Sequence, residues 1–357
     1  MEDLIANAIQ EQPVRRTSSV GPEFESRIRQ LVADWGIDKS PELIEELIIT
    51  ALKMGRDKMG TGDLKLMNRS LKELRYAAKV FAQYRAVKKV VIFGSARTAP
   101  SEPAAQQAEE FGRQMVAHHF MVITGGGDGI MGAAQRGAGR ENSFGLNIRL
   151  PFEQRPNEII HGDSKLINFN YFFTRKLNFV KETHAVALFP GGFGTLDEGF
   201  EALTLMQTGK ALIIPIVLID RPNGSYWESW MRFLTEHLLK QGLISEGDFN
   251  FIKIVHNVED AVEEILLFYR NYISSRWVGS QLIFRIHKAL TKNALADLNQ
   301  RFADLLREGQ IAQGAALPQE RNQPELAHLP RLILTPHRHE FGRYRQLIDA
   351  INLAETA

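Results

Sequence analysis

Apolar and polar positions along this chain follow three successive rhythms. From about residue 23 to 88 apolar residues recur every three or four positions, as in SPELIEELIITALKMG, which predicts helices and contains no strand pattern. Ser40 is the expected N-cap of one of them, with Pro41 at its first position. From residue 89 the texture changes to short apolar runs, each closed by glycine or polar residues and followed by a helix-period segment. VVIFGS (90–95), MVITGG (121–126), GLNIRLP (145–151), AVALFPGG (185–192), LIIPIVLID (212–220) and FIKIVH (251–256) are the predicted strands. Runs with no polar face belong to strands covered on both sides. The expected core is therefore α/β, a Rossmann-like parallel sheet with helices on both faces, over residues 89–270. Residues 271–357 alternate helical spacing, as in HKALTKNALADLNQRFADLL, with a proline-punctuated stretch, and read as a C-terminal helical arm. Residues 1–22, broken by Pro13, Gly21 and Pro22, read as a flexible leader, which leaves 23–88 as an N-terminal helical extension.

Composition narrows the chemistry. The 357 residues include no cysteine, which excludes a thiolate nucleophile, a disulfide framework, a zinc ribbon and an iron–sulfur cluster. Lys and Arg number 43 against 42 Asp and Glu, so bulk charge does not hold nucleic acid. The longest apolar run, 211–219, is far shorter than the ~20 residues a bilayer requires and has Pro215 in its middle. The first residues, MEDLIANAIQ, lack the basic-then-apolar order of an export signal, so no membrane partner and a cytoplasmic location are expected. No set of residues has metal-ligand spacing, His337 and His339 included.

Two glycine-rich loops carry candidate chemistry. In Gly125-Gly126-Gly127-Asp128-Gly129-Ile130-Met131-Gly132, Gly127, Gly129 and Gly132 have the G-x-G-x-x-G spacing that lets backbone approach a phosphate at a helix start. A dinucleotide fold also wants an acid at the end of the next strand, where this chain has Leu150 and Pro151. A ligand-free turn is the plain alternative. The second loop, Pro190-Gly191-Gly192-Phe193-Gly194-Thr195, again follows an apolar strand and opens a helix, with the Thr195 hydroxyl at its start. Two such loops at the carboxyl ends of one parallel sheet converge on one crevice, and neither carries a Walker lysine, so a nucleoside monophosphate or sugar phosphate fits better than a triphosphate.

Charged residues surround these loops. Asp197 and Glu198 are placed in the first turn of the second helix with Glu201 one turn on, where acids also complement the dipole. In the helix predicted over 171–182, Arg175 lies three residues after Phe172 and four before Phe179, a guanidinium on an apolar face. Its partner is either an internal carboxylate, Glu182 or Glu198, or an anionic ligand. Ser95 and Arg97, just past the first strand, reach the same crevice edge or form a plain turn. Eleven basic residues fall between Lys53 and Lys89, with Lys65, Arg69, Lys72 and Lys79 at helical spacing. They form a solvated or subunit-facing surface, or a site for a polyphosphorylated nucleotide effector.

Together, Thr124 to Met131, Phe173-Thr174-Arg175-Lys176 and Pro190 to Glu198 resemble the LOG ("Lonely Guy") family of nucleoside 5′-monophosphate phosphoribohydrolases, and the helical additions look like its long bacterial and cyanobacterial forms. The resemblance covers about residues 89–270. It implies a Rossmann-like homodimer or higher homo-oligomer that hydrolyses the N-glycosidic bond of a purine-type monophosphate such as AMP. Pyrimidine and cytokinin bases are also within the class, and the products are free base and ribose 5-phosphate. Arg175 and Glu198 map onto the family's catalytic pair. Ser95, Gly126, Gly127, Gly129, Lys176, Gly191, Gly192, Gly194 and Thr195 are expected to hold the nucleotide, with Arg97, Asp128 and Glu201 in support. No cofactor or metal is implied. Cleaving the ribosyl bond builds positive charge on the sugar, which a carboxylate stabilises while activating water. The rival expectation is a non-catalytic carrier of a nucleotide or a phosphorylated pterin such as the molybdenum cofactor.

Overall fold

The helical period at the N-terminal end is realised as α1 (Pro22–Asp34), α2 (Pro41–Arg56) and α3 (Thr61–Phe81). These belong to a computed structural model that describes residues 20–150, 155–339 and 341–357, so most of the predicted leader, and Pro151, lie outside the described residues. Helix α2 starts at Pro41 as expected, but Ser40 has a positive φ of 50° and its hydroxyl makes no capping bond. The fixed φ of proline begins this helix unaided. The chain divides between Tyr76 and Ala77 into two compact units. The first holds α1, α2 and most of α3. Few of its side chains are buried, and Phe24, Leu31, Trp35, Leu43 and Leu47 are exposed.

In the second unit, seven strands form one sheet: β1 (Lys89–Phe93), β2 (Met121–Thr124), β3 (Ser143–Ile148), β4 (Leu166–Phe169), β5 (Ala185–Leu188), β6 (Ile216–Ile219) and β7 (Ile252–Val255). Their order is β4-β3-β2-β1-β5-β6-β7, with every neighbour parallel. The expected α/β sheet is present, and each predicted strand lies in it. Strand β4 was not predicted: LINF has a polar Asn168 within it and Asn170 after it, and its burial alternates where the inner strands are buried throughout. The run 212–220 contributes only Ile216–Ile219, because Pro215 has no N–H to give a ladder.

Alternate residues of one strand enter two different cores. Val91 and Phe93 join one apolar cluster, Val90 and Ile92 the other. Helices α4 (Pro103–Ala117) and α5 (Ile130–Ala138) cover the second cluster; α6 (Phe172–Glu182) and α7 (Phe193–Gln207) supply Phe179, Ala202 and Met206 to the first. Further along come α8 (Tyr226–Phe233) and α9 (Val258–Phe268).

The C-terminal segment is not a helical arm. It forms β8 (Tyr272–Val278), β9 (Gln281–Ile286), α10 (Lys292–Arg301), β10 (Leu306–Gly314), β11 (Arg331–Pro336) and α11 (Phe341–Leu353). The strands make a second, antiparallel sheet ordered β10-β11-β9-β8. Leu282, Phe284, Leu332, Leu334, Leu347 and Ile351 pack into the same core as β1 and β5, so this segment belongs to the α/β unit. Its strands are masked in sequence by Arg285 and Arg331, which look like surface residues. Both are fully buried and share the carboxylate of Glu320, at 2.8 Å from Arg285 Nη2 and 3.1 Å from Arg331 Nε.

Candidate active site

The sheet order reverses direction between β1 and β5. The chain builds outward from β1 through β4, returns beside β1 as β5, and continues the other way. A crevice opens at such a switch point, at the carboxyl ends of the two strands. Here it is a cleft of about 740 Å³, lined from the β1 end by Gly94, Ser95, Ala96 and Arg97, and from the β5 end by Gly191, Gly192, Phe193, Gly194 and Thr195. Arg175, Phe179 and Glu198 form its wall, and Gly125 and Met131 close it from the first glycine loop.

The second loop is tightly determined. A Cβ on Gly191 would lie 2.2 Å from Thr195 Oγ1 and 3.1 Å from the Ser95 nitrogen, so only glycine brings these segments together. Helix α7 begins at Phe193, which places Thr195 in its first turn and moves Asp197 and Glu198 into the second. The N–H groups of Phe193 and Gly194 find no acceptor among the described residues, as at any helix start, and so are available to an anion.

The first loop is built differently from its motif. Asn157 Nδ2 donates to the Gly126 and Gly127 carbonyls at 3.2 and 2.8 Å, and the Gly126 N–H donates to Thr124 Oγ1 at 2.9 Å. Gly129 (φ 65°) is held against the segment after β1, where a Cβ would sit 2.3 Å from the Ser95 carbonyl. Gly126, Gly127 and Gly129 are therefore absent from the cleft lining, and Asp128 points to solvent. Through Gly129 the loop packs against Ser95 and Ala96.

Arg175 and Glu198 do meet. Arg175 Nη2 lies 3.6 Å from Glu198 Oε1, with side chains 14% and 5% accessible. The guanidinium sits between the rings of Phe172 and Phe179, 5.0 and 5.6 Å from their centroids, and its Nε is buried with no hydrogen-bond partner among the described residues. At 3.6 Å the pair is an ion contact and not a hydrogen bond, so it does not offset desolvation. Burial pushes the Glu198 carboxyl up to about 7, against the pull of Lys176 and Arg175. Burial likewise lowers Arg175, against the opposing pull of Glu198. A carboxyl that titrates near neutral pH on a cleft wall can exchange protons with a ligand or water. Glu182, the other suggested partner, pairs with Lys181.

Lys176 turns away from the cleft lining. Its Nζ is 2.8 Å from Glu201 Oε2 and 3.0 Å from Asp197 Oδ2. Burial lowers its pKa, but the hydrogen bonds it donates to Glu201 and Asp197 outweigh that and raise it. Lys89, counted with the basic stretch, is inside the protein. Its Nζ donates to the Tyr84 and Val87 carbonyls, and burial pulls the ammonium down to about 8. Lys65, Arg69, Lys72, Arg75 and Lys79 of that stretch lie on α3, where Arg69 pairs with Glu73.

The fold is a Rossmann-like α/β unit, with a cleft at its switch point lined by a helix start, a buried carboxylate and a guanidinium. A family profile described as "Possible lysine decarboxylase" matches residues 131–265. Among curated proteins, the Arabidopsis thaliana cytokinin riboside 5′-monophosphate phosphoribohydrolase LOG1 is 24% identical over 50% of this chain and 82% of its own. The enzymes of that name from Rhodococcoides fascians and Mycobacterium tuberculosis are 26% and 28% identical, over 95% and 81% of their lengths. Over its α/β core the chain is similar to these LOG-family enzymes. Among solved structures, the molybdenum cofactor carrier protein of Chlamydomonas reinhardtii is 20% identical over 50% of this chain and 98% of its own, with a TM-score of 0.35. That degree of overlap bears on neither ligand nor activity. The profile's decarboxylase description implies pyridoxal phosphate, which needs a lysine able to form a Schiff base. Among the described residues no lysine lines the cleft, and Lys176 is held charged by two carboxylates, so the residues do not fit that cofactor.

Proposed function

We propose that this protein hydrolyses the N-glycosidic bond of a nucleoside 5′-monophosphate, releasing free base and ribose 5-phosphate. The observation that carries the reading is Glu198, buried beside Arg175 on the wall of a cleft that the start of its own helix, α7, also lines. The names of the relatives support the same class. The 5′-phosphate sits on the N–H groups of Phe193 and Gly194, with Ser95, Thr195 and Arg97 at the rim. Glu198 faces the ribose, stabilises positive charge developing at the anomeric carbon and takes a proton from the attacking water. Arg175 supplies a fixed positive charge beside the departing base. One bond breaks, C1′–N, and one forms, C1′–O from water; the proton that Glu198 takes from the water passes on to the departing base nitrogen, which returns Glu198 to its starting state.

Self-association belongs to the same proposal. Phe172 and Phe173 on the arginine helix are 52% and 53% exposed and Phe193 at the cleft mouth is 94% exposed, an apolar surface that a second copy of the chain would cover. A cytoplasmic setting and a polyphosphorylated effector on the basic face of α3 remain parts of the proposal.

The test is chromatographic detection of free base from a panel of purine, pyrimidine and cytokinin monophosphates. Glu198→Gln is expected to lower release at least about 100-fold with binding retained. Retained turnover in that variant sinks the assignment of Glu198. Tight binding with no release by the wild type favours a carrier instead.

A further inference from the structure

The second glycine loop is held from behind. Pro190 O accepts from the Ser95 N–H at 3.2 Å, and Gly191 O accepts from Tyr226 Oη at 2.6 Å. In a trans peptide the carbonyl and the following N–H point in opposite directions. Pinning the Gly191 carbonyl toward Tyr226 therefore turns the Gly192 N–H the other way, toward the cleft that Gly192 lines. The Ser95 contact does the same for the Gly191 N–H.

Tyr226 is itself fixed. Its N–H and that of Trp227 donate to Asp220 Oδ2 at 2.7 and 3.3 Å, and its ring packs edge-on against Trp227 at 4.8 Å. Asp220 ends β6, is 1% exposed, and binds the Arg221 N–H through Oδ1 at 2.9 Å. Tyr226 is not in the lining of the catalytic cleft. It lines a separate cavity of about 660 Å³ together with Thr98, Arg221, Ser229 and Trp230. Anything it does to a substrate must pass through the loop.

We infer that Tyr226, held by Asp220, is a positioning residue that aims the backbone N–H groups of the second glycine loop at the 5′-phosphate. The inference rests on the proposed monophosphate site and adds to it a residue that touches no ligand. It predicts a loss confined to the phosphate. Tyr226→Phe keeps the ring and removes only the hydroxyl.

In the full-length protein, calorimetric binding of AMP is expected to weaken about three- to tenfold, the worth of one hydrogen bond, while binding of adenosine is unchanged. Base release from AMP shows the same rise in KM with kcat within about twofold. Asp220→Asn, which loosens the start of α8, reproduces the phosphate-selective loss if Tyr226→Phe folds poorly. Equal losses for AMP and adenosine, or undiminished AMP binding in a folded Tyr226→Phe, overturn the inference. Wild type that binds AMP without releasing base overturns the hydrolase reading and leaves this one standing on the binding data. Wild type that binds no AMP overturns both.

Discussion

Glu198 makes stability and activity depend on pH in a way that can be worked out in advance. Its carboxyl moves from 4.5 to about 7 on folding, chiefly because burial disfavours the charged form. The raised value means the native state holds the proton more tightly than the unfolded chain. Stability contributed by this group is thus fully present below pH 4.5 and is lost as pH rises through about 7, beyond which the group adds no further change. At about 1.36 kcal/mol per pH unit the loss totals about 3 kcal/mol, most of it between pH 5 and 8. In Glu198→Gln this titration is gone, while the loss of Arg175's neighbour is a nearly constant offset at every pH. Urea unfolding of wild type and variant from pH 5 to 8 is the assay. The stability difference between them is expected to swing by about 2–3 kcal/mol in favour of the variant as pH rises. The wild type's base release is expected to change limb near pH 7. Parallel stability curves across that range would refute the argument, since they would mean Glu198 is ionised in both states and its burial is answered by the Arg175 contact after all.

Two further substitutions test the frame around the site. Gly137→Ala would place a Cβ 1.8 Å from the Glu109 carbonyl where α4 crosses α5, so thermal unfolding is expected to show a loss of at least about 2 kcal/mol; an unchanged Tm would show that this helix pair is free to separate. Glu320→Ala leaves Arg285 and Arg331 buried without their shared carboxylate and is expected to cost about 3–5 kcal/mol by urea unfolding. Burial raises Glu320, but the Leu317 N–H and both guanidiniums bring it below its ordinary value, so the wild type should also lose stability as pH falls through the acid range, and the variant should lose that dependence.

How far the molecule could be read beforehand depended on how local each decision was. A strand buried on both faces announces itself in its own five or six residues, and the runs after Lys89, Phe120 and His184 are strands for that reason. Arg175 was visible for a similar reason, because helix spacing alone put a guanidinium between Phe172 and Phe179. The C-terminal sheet was not, because Arg285 and Arg331 broke the apolar pattern of β9 and β11, and what makes them core residues is Glu320, 35 and 11 positions away.

The glycine loops show the same limit at the site itself. Their composition marks both as places where backbone approaches something closely, and it cannot say what. For the first loop the answer is Asn157, reaching back 31 and 30 residues to take the Gly126 and Gly127 carbonyls, so the glycines serve packing. For the second it is Tyr226, which takes the Gly191 carbonyl from 35 residues ahead and leaves the N–H side open. In both loops one distant side chain holds the carbonyl side: an amide at Gly126 and Gly127 in the first, and a phenol at Gly191 in the second. The only legible trace of the second was Asp220, an acid ending a wholly apolar strand, and its meaning lay in the start of α8 six residues on. A motif states that a phosphate can be cradled; the comparison of AMP with adenosine binding in Tyr226→Phe tests whether the second loop does it.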